Sequence, residues 1–200
     1  MSHYFSNETD TIENRREISF RFLGHTYSLV SSEGVFSKDA FDKGTEILLS
    51  EVSKLDIEGD VGDLGSGIGV IGVVLNQIFD VNMLGVDVNP KAVKLANENY
   101  AQHHVRGKNI VSDGIEGNFD YIISNPPIRV GKEILYRLFD EAHAALKVDG
   151  AFVFVIRKSH GALSAQKKCI SLFGNCELLN RSKGYHVYRA VKLDNLPNME

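Results

Sequence analysis

The sequence predicts an α/β fold built on a largely parallel sheet, and three observations carry that expectation. Residues 60–72, DVGDLGSGIGVIG, set five glycines among valines, isoleucines and a leucine. That is the pattern of a short buried strand, a sharp turn and a helix with an apolar first turn. Strand-like and helix-like patterns then alternate, β-α-β-α, through the middle of the chain. Residues 151–156, AFVFVI, are a continuous apolar run, as expected of a strand covered on both faces. Glycine costs a helix close to about 1 kcal/mol against alanine, so such a density implies that something needs the backbone close.

Taken in order, residues 1–17 are polar apart from Tyr4, Phe5 and Ile12, and read as an arm able to dock through its aromatic pair. Residues 18–22 and 26–30 alternate on either side of Leu23-Gly24-His25, which predicts an antiparallel hairpin. A loop over 31–37 leads to a helix from 39 or 40 to about 52, with Gly44 inside it or breaking it. Strand 61–64, the glycine turn and helix 70–78 follow. Residues 82–86 are a second strand ending at Asp87. Asn89-Pro90 then starts a helix over 91–100, because Asn caps and Pro suits the first helical position. Residues 109–112 and 119–124 are the third and fourth strands; two prolines cannot continue a central strand, so the chain leaves the sheet at Asn125-Pro126-Pro127. Helix 133–146, a turn at 148–150, strand 151–156, helix 162–173 and a closing hairpin of 176–180 and 185–191 complete the chain. It reads as one domain over 1–200: arm and hairpin 1–30, core 31–192, tail 193–200.

Two hundred residues bury a core without staples. Cys169 and Cys176 form no metal-knuckle spacing with histidines, so no metal is expected, and a reducing cytoplasm is the simplest compartment. No apolar run approaches a membrane span, and Glu8, Asp10 and Glu13 stand where a signal peptide would be apolar. The net charge of -4 divides unevenly: residues 1–125 carry 10 Lys or Arg against 19 Asp or Glu, residues 126–192 carry 12 against 5. The final third can face a polyanion or be ordinary solvated surface.

Two cofactors compete for the glycine stretch. Gly67-Ile68-Gly69-Val70-Ile71-Gly72 fits the dinucleotide pattern, with Asp87 twenty residues beyond Gly67, where a ribose-binding acid is expected. The register opposes it: the strand ends at Leu64, so the turn begins at Gly65, and Asp63 takes the place of an apolar strand residue. S-adenosylmethionine suits that register. It has no pyrophosphate, but its carboxylate and ribose need the close approach that Gly65, Gly67 and Gly69 permit. Asp63 then reaches its ammonium group, directly or through water, Asp87 accepts two ribose hydroxyls, and Asp113 bonds the adenine amine. Each acid alone is equally a plain strand-end carboxylate; three at successive strand ends make a pattern.

Ser124-Asn125-Pro126-Pro127-Ile128 is the second constellation. The lone pair of an exocyclic base amine is delocalised, which makes it a poor nucleophile. Asn125 Oδ1 and the Pro126 carbonyl can accept its two hydrogens and aim the lone pair at a methyl donor. No strong base is required, since the proton can leave after transfer.

Asp63-Leu64-Gly65-x-Gly67-x-Gly69 together with Asn125-Pro126-Pro127-Ile128 resembles the class I S-adenosylmethionine-dependent methyltransferases of the amino-group type. More narrowly, Gly34-Val35-Phe36-Ser37, Ser112-Asp113-Gly114, Asn125-Pro126-Pro127-Ile128-Arg129-x-Gly131-Lys132 and Lys183-Gly184-Tyr185 are similar to the small, single-domain members of the 16S ribosomal RNA guanine-N2 methyltransferase family. The similarity runs from about His3 to Lys192. It implies a Rossmann-like three-layer α/β/α sandwich with sheet order 3-2-1-4-5-7-6, strand 7 antiparallel, plus the N-terminal hairpin. It implies S-adenosyl-L-methionine over the ends of strands 1 and 2, held by Asp63, Gly65, Ser66, Gly67, Gly69, Asp87, Val88, Asp113, Gly114 and Asn125, with Phe36 and Ser37 beside it. Asn125, Pro126, Pro127 and Ile128 form the implied catalytic turn. Substrate contacts fall to Phe36, Arg129, Lys132 and Lys158, Arg129 first because it adjoins that turn; Arg157, Lys167, Lys168 and Lys183 are further basic candidates.

The implied partner is ribosomal RNA or the small ribosomal subunit, with monomer and homodimer both open. Larger family members carry an additional N-terminal domain, so recognition here is expected from the core, the arm or a dimer partner. Ile128 stands where many amino methyltransferases place Phe or Tyr against a flipped base, which leaves base identity open. Competing readings are a protein-glutamine or small-molecule amine acceptor, a nicotinamide oxidoreductase that leaves Asn125-Pro126-Pro127 without a role, and a cofactor- and RNA-binding assembly module without turnover.

Overall fold

The computed structural model describes residues 14–35, 41–127 and 131–194. The alternation of the first stretch folds as β1 (Arg15–Phe22) and β2 (His25–Ser32), paired antiparallel from Arg15 with Ser32 to Phe22 with His25. There follow α1 (Lys43–Val52), β3 (Gly59–Leu64), α2 (Val70–Ile78), β4 (Val81–Asp87), α3 (Pro90–Gln102), β5 (Gly107–Val111), β6 (Phe119–Ser124) and α4 (Gly131–Ala145). β7 (Leu146–Arg157), a 3-10 turn at Lys158–His160, α5 (Ala162–Phe173), β8 (Glu177–Ser182) and β9 (Tyr185–Val191) complete the order. The Phe36 and Ser37 cofactor contacts, the Ile128 and Arg129 assignments, the arm through residue 13 and the tail from 195 lie outside the described residues.

The seven core strands lie in the order β5-β4-β3-β6-β7-β9-β8, with β9 antiparallel to both neighbours and the other pairings parallel. This is the implied 3-2-1-4-5-7-6 arrangement. Strand alternation sends Val153, Val155, Tyr185 and Val187 to the face covered by α1, α2, α3 and the hairpin. Phe152, Phe154, Ile156 and Tyr188 go to the face covered by α4 and α5. There Phe139 of α4 meets Phe154 and Phe152 at ring-centroid distances of 4.6 and 5.2 Å, and such pairs add to their area burial. No helix among the described residues is long and apolar enough to cross a membrane.

Element boundaries depart from expectation at several points; β1 starts at Arg15, so residues 15–17, expected in the arm, pair with 30–32 of β2. α1 begins at Lys43 because the Asp42 carboxylate accepts from the Thr45 N–H at 2.9 Å and caps the helix. Gly44 thus sits in its first turn and breaks nothing. The turn expected at 148–150 is kept as an irregularity inside β7: Asp149 stands at φ 65°, and its N–H donates to Lys192 O while Lys192 N–H donates to Gly150 O, at 2.8 and 2.9 Å, so the bulged segment still pairs beside β9. The β8–β9 turn is the two residues Lys183-Gly184, both at positive φ (49° and 80°), the geometry that suits the right-handed strand twist.

One buried side chain ties the hairpin to the core. Asn99 of α3, wholly buried, accepts from Val30 N–H at 2.7 Å and donates to Val30 O at 3.0 Å and Ile68 O at 2.9 Å. It joins β2, α3 and the segment entering α2. Asn99→Ala leaves three buried backbone groups without partners, and each such loss costs about 1–3 kcal/mol. We expect a stability loss of about 3 kcal/mol by denaturant titration, with hydrogen exchange rising most over residues 15–32.

Candidate active site

Parallel pairing delivers both singled-out turns to one edge. β3 and β6 are neighbours, in register from Val61 with Tyr121 to Asp63 with Ile123, and the sheet order reverses between them. Ligands of open α/β sheets lie at such a point, outside the carboxyl ends of the strands. Ser124 Oγ donates to Leu64 O at 2.6 Å and fastens the two strand ends together.

The glycine turn after β3 holds Gly65, Gly67 and Gly69 at φ of 82°, 54° and 85°, where a side chain would be strained. Its amides are engaged internally. Gly65 and Ser66 N–H donate to Val86 O, Gly69 N–H to Ser66 O, and Gly67 N–H to Asp87 Oδ2, each at 2.9 Å. A pyrophosphate cradle presents its amides to the ligand, and these four are spent within the loop, which weighs against the dinucleotide alternative. Asp87 Oδ1 accepts from Asn89 N–H at 2.9 Å. The carboxylate is thereby held by two backbone donors, with lone pairs left for further hydroxyls. Val88, next in the chain, is 63% exposed.

Beneath the loop lies a buried polar cluster. Asp63 is fully buried, and among the described residues neither of its oxygens has a hydrogen-bond partner, nor does Ser66 Oγ; Tyr100 and Asn109, also buried, face each other in the same cluster. Burial, and secondarily the charge of Asp87, push the Asp63 carboxyl up to about 8. Burial, then the Asp63 charge, also raises the Tyr100 hydroxyl. The last glycine of the dinucleotide-like pattern serves this cluster: a Cβ on Gly72 would lie 1.8 Å from Tyr100 OH. Ser66, implied as a cofactor contact, turns its hydroxyl into the interior, because the tight turn directs it against Gly85.

At the other turn, Asn125 Nδ2 donates to Asp42 Oδ2 at 2.8 Å and to Thr45 Oγ1 at 3.0 Å. A carboxylate only accepts, so it fixes which end of the amide faces it. Both amide hydrogens are taken, and Oδ1 has no donor among the described residues. Gly44 permits this crowding: a Cβ there would meet Asp42 Oδ2, Tyr185 Cε1 and Asn125 Nδ2 at 3.0, 3.1 and 3.3 Å. Asp42, Thr45 and Tyr100 escaped sequence reasoning, and Tyr185 entered it only within the Lys183-Gly184-Tyr185 motif, with no role assigned. Only Asp42 carried a local signal, an Asp three residues before a Thr at a helix start.

The remaining assignments scatter. Asp113 carries an ion pair with Arg137 at 2.8 Å, and its side chain is otherwise largely exposed; Gly114 follows it at φ 152°. Lys132 sits 5.2 Å over the Tyr136 ring and, with Pro126, Pro127, Leu135 and Ile156, lines a cavity of about 260 Å³. Lys158 lies in a different cleft, with Arg157 and Lys183. Among the described residues no His, Cys, Asp and Glu side chains are grouped to hold a metal.

With this geometry in hand, comparison places the chain among known proteins. Residues 26–189 match the model of the methyltransferase small domain family. The chain is 34% identical over 198 residues to the "uncharacterized protein YbxB" of Bacillus subtilis, covering 96% of this chain and 98% of that protein. It is 36% identical over 169 residues to ribosomal RNA small subunit methyltransferase C of Actinobacillus succinogenes, covering 80% of this chain and 50% of the relative. The T. thermophilus 16S rRNA N2 G1207 methyltransferase, solved with AdoMet and guanosine, superposes with a TM-score of 0.81 at 25% identity, over 90% of this chain and 51% of that one. The chain thus spans nearly all of YbxB and about half the length of the other two.

The state of Asp63 has a consequence for stability. Its carboxyl titrates at about 8 in the folded protein and at about 3.9 unfolded. Between those values the folded chain keeps a proton that the unfolded chain has released, so stability falls as pH rises from about 4 to about 8, then levels. Asp63→Asn removes that contribution. Denaturant midpoints measured from pH 5 to 8 should fall more steeply in the parent, and the variant should be the more stable at pH 8.

Proposed function

The chain belongs to the methyltransferase small domain family, and from that premise we propose that it transfers the methyl group of S-adenosyl-L-methionine to the exocyclic N2 of a guanine in small-subunit ribosomal RNA. The observation that carries this is the Asn125 amide, held from behind by Asp42 and Thr45 so that Oδ1 remains to accept from an amine.

The residues beside the glycine turn suit the cofactor. Asp63 is a buried carboxyl with no cation beside it among the described residues, and a bound ammonium group would favour its charged form. Asp87, steadied by two backbone donors, retains acceptor capacity for ribose hydroxyls, and Val88 offers an exposed aliphatic face for adenine. When bound, S-adenosylmethionine supplies a methyl group activated by its sulfonium centre.

The protein's part is to shape the acceptor. Asn125 Oδ1 and the Pro126 carbonyl accept the two amine hydrogens, drawing the nitrogen out of conjugation and directing its lone pair. The new N–C bond would form as the methyl–sulfur bond breaks, with S-adenosylhomocysteine the leaving thioether; the methylated nitrogen then gives one proton to water, so no strong base is involved. An amide free to rotate would lose this directing effect; Asp42 and Thr45 prevent the rotation, which is preorganisation of the acceptor-binding dipole. The apolar cavity beside Pro126 and Pro127 is the candidate seat of the extruded base. The relatives named for ribosomal RNA small-subunit methylation support the choice of acceptor, and such an acceptor implies action in the cytoplasm.

Radiolabelled methyl incorporation into 16S rRNA and small subunits, followed by nucleoside analysis for N2-methylguanosine, tests the proposal. Label found in ribosomal protein, or in no acceptor while S-adenosylmethionine still binds, overturns it. In the parent background Asn125→Ala should lower kcat about 10²–10³-fold. Asp42→Ser keeps a helix cap but is too short to reach Asn125. It should lower kcat about tenfold or more, leave S-adenosylmethionine affinity and the thermal midpoint unchanged, and add nothing in an Asn125→Ala background.

A further inference from the structure

Much of the basic surplus in the last third of the chain is neutralised locally. Arg137 pairs with Asp113 and Glu141, Lys147 with Asp120 and Lys168 with Asp140. Arg157, Lys158 and Lys183 differ. Among the described residues none of the three has a carboxylate partner, and all three line one open cleft of about 500 Å³.

Their convergence is built into the fold. Lys158 N–H donates to Gly184 O at 2.8 Å, which holds the turn after β7 against the β8–β9 turn and sets Lys158 beside Lys183. Arg157 is oriented by Tyr185: its Nε donates to the Tyr185 hydroxyl at 2.8 Å, and its guanidinium stands 4.9 Å from the ring centroid. That contact leaves the two terminal nitrogens of the fork for a ligand. The local field is positive, since His186 is held below the ordinary imidazole range by burial first and then by the charges of Arg181 and Lys158.

Tyr185 also connects this cleft to the acceptor turn. Its Cε1 and Asn125 Nδ2 lie within 3.1 and 3.3 Å of the point a Gly44 Cβ would occupy. The Tyr185 ring therefore lies between the Arg157 guanidinium and the Nδ2 side of the Asn125 amide, which sets the cleft next to the acceptor turn. We propose that the cleft formed by Arg157, Lys158 and Lys183 binds backbone phosphates of an RNA strand beside the acceptor nucleotide. Arg157 supplies the planar fork, and the two lysines act as point charges. This rests on the RNA reading above and assigns that reading its phosphate subsite.

The test uses the full chain and the variant Lys158→Gln/Lys183→Gln, which leaves the Arg157–Tyr185 contact in place. Binding of a guanine-containing single-stranded RNA is followed by fluorescence anisotropy across a KCl series, alongside S-adenosylmethionine titration, thermal melting and the KM for RNA. Each phosphate contact contributes about 0.7 to the log–log salt slope for single strands. The double variant should therefore show a slope shallower by about 1.4, a KM for RNA raised about tenfold at low salt, and parental cofactor affinity and melting. An unchanged slope and KM in a variant that folds and binds cofactor overturns the cleft assignment, as does equal competition by polyglutamate and RNA. Failure of the parent to methylate RNA counts against the acceptor reading instead, and the binding arm still decides whether this cleft takes phosphate.

Discussion

The structure depends on the parallel pairing of β3 with β6, closed at its carboxyl end by the Ser124–Leu64 hydrogen bond. These two strands are distant in sequence, with two strand–helix units between them, and each ends in a turn that leaves the sheet. Because they are direct neighbours at the point of order reversal, the glycine turn and the Asn-Pro-Pro turn open side by side. A built Cβ on Gly65 would already touch the Asn125 carbonyl oxygen and Pro127 Cδ at 4.0 Å. Separated by one further strand, either turn would be an ordinary strand end.

Satisfying buried polar groups is the second constraint, and the two turns meet it differently. Around Asn125 the protein supplies both acceptors for the amide hydrogens and leaves Oδ1 open: Asp42 is shared between the helix cap and the amide, and Thr45 completes the pair. Around Asp63 the described residues supply burial and no hydrogen-bond partner. An unpaired buried carboxylate is costly, and it responds by holding its proton. One turn is thus finished in advance of any ligand. The other stores unfavourable free energy that a bound cation would relieve. A rigid acceptor site beside a cofactor site whose buried carboxyl is charged only when a cation is bound is a coherent division for a transferase of the proposed kind.

Much of this was legible in the sequence. Strand and helix order followed from periodicity, and Asn89-Pro90 announced α3 through its cap and first residue. The register of Gly65 against Leu64 was readable because a strand must end where the glycines begin. The missing parts share one physical cause: they are contacts between segments far apart in sequence. Asp42 and Asn125 are 83 positions apart, and Asn99 reaches Val30 across 69. The two glycines that look most alike, Gly69 and Gly72, have different duties, one bending the turn and the other making room for Tyr100. The inward Ser66 hydroxyl and the pairing of Asp149 with Lys192 are likewise set by neighbours that no local window contains.

Charge follows the same logic. Counting residues along the chain located a basic final third, yet the count does not separate cations that hold the fold together from cations that face outward. Arg137 and Lys147 bind α4 and β7 to acids on neighbouring elements, and their charge is absorbed there. Arg157 is different because its partner is a phenol and an aromatic ring, which orient a guanidinium without cancelling it. An oriented but uncancelled cation beside a fixed amide is a pair of constraints on one ligand. The proposed acceptor meets both, because a nucleotide carries an amine at one end and a phosphate at the other. A free amine or a glutamine side chain would engage the amide and leave the cleft without a counterpart.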